Sequence, residues 1–139
     1  MSIWHEGIYG NDDAQEFLDI LLEIAEESDD LFEVIKTAHE HPYSEFIACR
    51  FVLADLEADF VGDIMNYSDV LQALAWEQEE DQLKRWQNRD QRVAILQGFK
   101  QSLDERISQF YAWDEKTWDS FSQWIDQKKQ GYRFESVAC

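Results

Sequence analysis

One proline and five glycines in 139 residues leave little of the turn punctuation that a many-stranded β protein needs, and so favour helices. The two cysteines form no C-x-x-C pair and no disulfide framework. Cys49, in an apolar helical context, reads as a buried thiol, and Cys139 as a tail thiol. No apolar run approaches the roughly 20 residues needed to cross a bilayer, and the N-terminus lacks the basic-then-apolar layout of a secretory signal. The expectation is a cytoplasmic protein without a membrane partner.

Signatures of catalysis are also missing. There is no H-E-x-x-H and no E-x-x-H pair of the kind that builds di-iron sites in helical bundles. There is no G-x-S-x-G elbow, no histidine beside Cys49 and no phosphate-cradling G-x-x-x-x-G-K loop. The acids of "DLEADFVGDI" lack the alternating oxygen ligands, glycine and closing glutamate of an EF-hand. The pair His39 and His41 in "HEHP" could chelate a transition metal weakly, with nearby acids making a metal-dependent enzyme. It reads more simply as the solvated, frayed end of a helix ahead of Pro42. The sequence therefore points to a protein that is not an enzyme and carries no cofactor or metal.

What is abundant is large apolar residues and negative charge. Apolar residues make up 45% of the chain, with six Trp and nine Phe, too rich a supply for a disordered polymer. A chain of this length buries about two thirds of the surface its unfolded form exposes. One domain spanning 1–139 is expected, with 132–139 as an ordered or frayed tail. The formal charge of −18 is concentrated: residues 1–80 hold 21 acids against Lys36 and Arg50, while 81–139 hold 9 acids against 10 bases. Such a chain repels nucleic acid and anionic membranes and attracts basic partners.

Hydrophobic periodicity predicts five to six helices in an all-α, single-domain orthogonal bundle. Ala14, Phe17, Leu18, Leu21, Leu22 and Ala25 mark the first, over 13–26. Ser28-Asp29-Asp30 caps a second bearing Leu31, Val34, Ile35 and Ala38, and Ser44 caps a third bearing Ile47, Ala48, Phe51, Val52 and Leu56. Ser68 or Asp69 opens a fourth, and a long helix from Asp90 carries Val93, Leu96, Phe99, Leu103 and Ile107. The last helix starts at a capping Asp114, places Lys128 and Lys129 at its negative end and stops at Gly131. The stretch "EQEEDQLKRWQNRDQ" fits a helix extension or a loop equally well. The bases Lys84, Arg85, Arg89 and Arg92 with Trp86 make a poor nucleic-acid footprint against −18, and an internal salt-bridged face is expected instead.

The opening "WHEGIYGNDDA" raises a choice between a metal site and a helix start. Asn11 or Asp12 has the length to accept from unpaired backbone N–H groups, and Asp13 and Glu16 would sit in the first turn beside the positive end of the helix dipole. Only His5 offers a further ligand nearby, so a cap is expected. Trp4, Gly7, Tyr9 and Asn11-Asp12-Asp13-Ala14, followed by Phe17 and Leu18, resemble the opening of a bacterial family of small helical proteins of unknown function that begin W-G-x-G-x-F-x-N-D-D-A. Ser44-Glu45 with Ala48, Val52 and Ala54 resembles its second block, and the Trp-rich segment Asp114 to Asp126 its closing one. This chain departs from the pattern at His5, Gly10 and Cys49-Arg50. Relatives of this type occur among immunity proteins that neutralise polymorphic or contact-dependent toxins, so the resemblance implies an association with toxin neutralisation.

Charge and resemblance together give the functional expectation of an acidic immunity protein. It would block a cognate basic toxin domain, a nuclease being the expected kind, as a monomer forming a 1:1 heterodimer. Asp55, Glu57, Asp59, Asp63, Asp69, Glu77, Glu79 and Glu80 are the expected partner-binding residues, with Tyr67 or Trp76 as aromatic anchors. The alternative is a nucleic-acid mimic or regulatory adaptor that binds a basic host protein.

Overall fold

The structure, a computed structural model, describes residues 7–109 and 118–138, with side chains as far as 129. Among the described residues it is all-α: α1 (Asp12–Glu26), α2 (Leu31–Glu40), a 3₁₀ turn (Pro42–Glu45), α3 (Ile47–Phe60), α4 (Tyr67–Glu77), α5 (Glu80–Leu83), α6 (Arg89–Ser108) and α7 (Trp118–Ala138). Six of these match expected helices. The seventh, α5, is a single turn inside the stretch whose pattern fitted helix and loop alike, and it exists because Leu83 and the following Trp86 are buried. No described helix is long and apolar enough to cross a membrane.

The opening block is a helix start. Asn11 has extended backbone geometry, and its Oδ1 accepts the Ala14 N–H at 2.8 Å while its Nδ2 donates to the Ile8 carbonyl at 3.2 Å. Asp12 and Asp13 fill the first turn, where negative charge complements the dipole. Helix α2 is capped reciprocally: Asp30 Oδ1 accepts from the Glu33 N–H, and Glu33 Oε2 accepts from the Asp29 N–H. Asn88 caps α6 by accepting from the Gln91 N–H at 3.0 Å.

Other boundaries differ from expectation. Ser44 does not cap α3; it lies in the 3₁₀ turn that Pro42 opens, and its hydroxyl donates to the His39 carbonyl. Helix α3 instead begins after Phe46 with no side-chain cap. Helix α4 begins before Ser68 and Asp69, after Asn66 in the left-handed region at φ 56°, a conformation that asparagine tolerates better than most residues. Gly131 does not end α7, which continues to Ala138. Trp4, His5 and the expected cap at Asp114 lie outside the described residues.

Helix α3 is the axis of the molecule. Every residue from Phe51 to Ala58 is buried, so the helix has no solvent face and little amphipathic character. One side of it (Ala48, Cys49, Val52, Leu53, Leu56) packs with α1, α2 and Phe121, Trp124 and Ile125 of α7. The other (Phe51, Ala54, Ala58) packs with Ile8, Ile64, Val70, Leu74, Leu96 and Leu103. Each fully buried Leu or Phe contributes about 1.5–3 kcal/mol. Two such clusters on opposite sides of one helix hold the other helices around it.

Candidate functional site

The central helix carries three acids, Asp55, Glu57 and Asp59, and helical geometry separates them. Residues four apart share a face, whereas residues two apart are turned by about 200°. Asp55 and Asp59 therefore face α6 and α7, and Glu57 faces α2. Asp55 is 3% exposed and Glu57 2%, which requires each to have partners.

On the α6–α7 side Arg106 Nη1 lies 2.6 Å from Asp55 Oδ1 and 2.9 Å from Asp59 Oδ1. The Tyr9 hydroxyl donates to Asp55 Oδ2 at 2.5 Å, Lys128 Nζ is 3.2 Å from the same oxygen, and Trp124 Nε1 donates to Asp59 Oδ2 at 2.8 Å. Burial alone would lower the Arg106 pKa, but Asp55 and Asp59 outweigh it and raise it. Burial, reinforced by the Asp55 charge, pushes the Tyr9 phenol well above its usual 10.0, so it stays a donor. A groove of about 470 Å³ opens beside this cluster, lined by Tyr9, Asp55, Ile95, Phe99, Arg106 and Lys128 among others.

On the opposite side His39 Nε2 meets Glu57 Oε1 at 2.6 Å, and Glu57 Oε2 accepts the Met65 N–H at 3.1 Å. His39 is thus no frayed, solvated end: it ties the last turn of α2 to the buried carboxylate of α3, which in turn holds Met65 near the end of the loop before α4. The Ser44 hydroxyl, which lines the same pocket of about 140 Å³, is directed at the His39 main chain and serves to hold the 3₁₀ turn to α2.

A third buried acid, Glu77 at 3%, ends α4. Arg85 Nη2 donates to its two oxygens at 3.0 and 3.2 Å, and Arg92 Nη2 lies 3.6 Å away. The Arg92 guanidinium stacks 3.9 Å over the Trp86 ring. Of the four bases expected to form an internal salt-bridged face, Arg85 and Arg92 do so; Lys84 pairs Asp81 at the surface and Arg89 is exposed.

The eight acids expected to bind a partner therefore separate into two groups. Asp55 and Glu77 are buried and paired with the protein's own cations, Glu57 is buried and bonded to His39, and Asp59, half-buried, joins the Arg106 cluster. Asp63, Asp69, Glu79 and Glu80 are exposed. Of the two aromatic anchors, Trp76 is exposed at 40%, whereas Tyr67 donates its hydroxyl to Asp104. Sequence reasoning missed Phe46, 47% exposed. Phe46 and Trp76 line one groove of about 390 Å³ together with Ile8, Asp13, Glu45, Ile47, Phe51, Glu77 and both arginines.

No family model, curated protein or solved structure matches the chain.

Proposed function

We propose that this protein is a non-catalytic acidic binding protein that docks a basic protein domain and covers it, in the manner of an immunity protein neutralising a toxin, with a nuclease as the expected target. The supporting observation is how the internal ion pairs divide the charge. Asp55, Asp59 and Glu77 are matched by Arg85, Arg92, Arg106 and Lys128, and Glu57 by His39. Four of the 30 acids and four of the 12 bases are thereby engaged, so the whole formal −18 rests on the rest of the chain.

Much of that remainder is exposed. Glu23, Glu26, Glu27, Asp29 and Asp30 crowd the α1–α2 junction, and Asp63, Asp69, Glu79 and Glu80 flank α4. Fixed carboxylates of one sign steer a cationic protein to the surface and occupy its phosphate-binding cleft, accelerating encounter toward about 10⁸ M⁻¹s⁻¹ at low salt. The toxin-neutralising part of the reading draws on the resemblance of the opening block. No cofactor is required, and a 1:1 complex is expected.

The test is affinity for the basic domain encoded beside this protein, measured from low to high salt with Asp63, Asp69, Glu79 and Glu80 reversed to Lys in one variant. Affinity that falls steeply with salt and collapses in the variant supports the reading. A flat salt response, or indifference to the four reversals, removes it; capture of many unrelated basic proteins favours the regulatory adaptor instead.

A further inference from the structure

The groove between Phe46 and Trp76 has a lining that selects one kind of side chain. Phe46 precedes α3, Trp76 sits in the last turn of α4, and Ile47 and Phe51 line the same groove. On the rim stand the carboxylates of Asp13 and Glu45, neither of which has an ion-pair partner among the described residues. The two arginines at its other end are committed to Glu77. An apolar peptide would bury these rim acids without compensation. A second copy of the chain would bring another −18 against the same charge, and phosphates would be repelled likewise.

We propose that this groove receives an arginine side chain of the basic partner, its guanidinium against the Trp76 and Phe46 rings and its N–H groups on Asp13 and Glu45. This rests on the reading of the protein as a binder of basic domains and names the place where such a domain anchors. A guanidinium is planar, weakly hydrated and forked, so it stacks on a ring while pairing with a carboxylate; a lysine ammonium does this less well. The protein already uses the same combination inside itself, where Arg92 stacks on Trp86 beside Glu77. Tryptophan and arginine are among the residues that dominate many interfaces.

The experiment is an NMR titration of the full chain at low salt with two synthetic peptides of alternating glycine with arginine or with lysine. The arginine peptide is expected to shift the Trp76 indole N–H and to bind about fivefold more tightly than the lysine peptide. Trp76→Ala and Phe46→Ala, at positions 40% and 47% exposed, with an unchanged backbone spectrum of each variant confirming its fold, are expected to weaken the arginine peptide about tenfold and abolish the preference. Glu45→Gln, at an exposed position, is expected to weaken both peptides. Arginine-peptide binding that leaves the Trp76 indole unmoved and ignores the Trp76 and Phe46 variants overturns the groove while the acidic-surface reading survives. Failure of both peptides to bind at low salt overturns both. A Trp76 shift that depends on protein concentration without peptide identifies a second copy as the occupant and overturns the proposal.

Discussion

Asp55 and Glu57 on α3 and Glu26 and Glu27 at the end of α1 are all carboxylates in acidic runs, yet the fold treats the two pairs oppositely. The first pair is buried, each acid held by two or three donors; the second pair is exposed. Taking a carboxylate out of water costs several kcal/mol, and an ion pair with added hydrogen bonds roughly offsets that cost. The interior acids therefore specify how α2, α6 and α7 seat on α3 more than they stabilise it. The junction acids, left in water, give the molecule its external field. Acidic density in the chain is a poor guide to where charge is displayed.

The comparison is sharpened most by removing a cation from the interior. Arg106→Leu is expected to destabilise the fold by about 3 kcal/mol, because Asp55 stays buried with only Tyr9 and Lys128 to hold it. Urea unfolding measures this, and a loss under about 1 kcal/mol would show the pair to be dispensable.

Alkaline titration probes the same interior through Cys49. Burial first, then Asp13 and Glu16, push its thiol from 9.0 up to about 12, and its Sγ–H donates to the Asp13 carbonyl. The unfolded chain loses this proton at lower pH than the folded one, so the stabilisation is complete below pH 9.0 and is lost as pH rises toward about 12. The expected loss is on the order of 1 kcal/mol across the first pH unit. In Cys49→Ala the onset should move up to near 10.0, where the Tyr9 phenol of the unfolded chain begins to ionise. An unchanged pH profile of the melting temperature would refute the assignment.

Asn11→Ala should cost about 1 kcal/mol through loss of the Ala14 cap, and added divalent metal should not rescue it. Smallest of all is the exterior: Glu26→Gln with Glu27→Gln is expected to change stability by no more than about 0.5 kcal/mol, a slight gain at low salt being the favoured direction as self-repulsion falls. A large loss there would erase the distinction between the two sets of acids.

Much of the fold was legible because the cues are local. Ala14, Phe17, Leu18 and Leu21 lie on one helical stripe, and Asn11 and Asp30 cap over three residues. Where an equally local cue misled, as at Ser44, the rigid ring of Pro42 won and made a separate turn. The site was less legible. Asp69, Glu79 and Glu80 were found in the open, but the role of His39 depends on Glu57, 18 residues away. The buried Arg92 is visible only once Glu77 and Trp86 are brought to it.

By itself the sequence determined an all-α chain, its principal helices, two of its caps and a strongly anionic balance, since each follows from spacing or composition within a few residues. Only the tertiary structure decided which carboxylates face water. Helix α3 is apolar on two sides, so its periodicity gives no solvent face, and the partners that make Asp55 tolerable inside come from Tyr9 46 residues before it and Arg106 51 residues after it. A buried charge is held by whatever the fold places beside it, and that placement is a property of packed helices rather than of neighbouring letters.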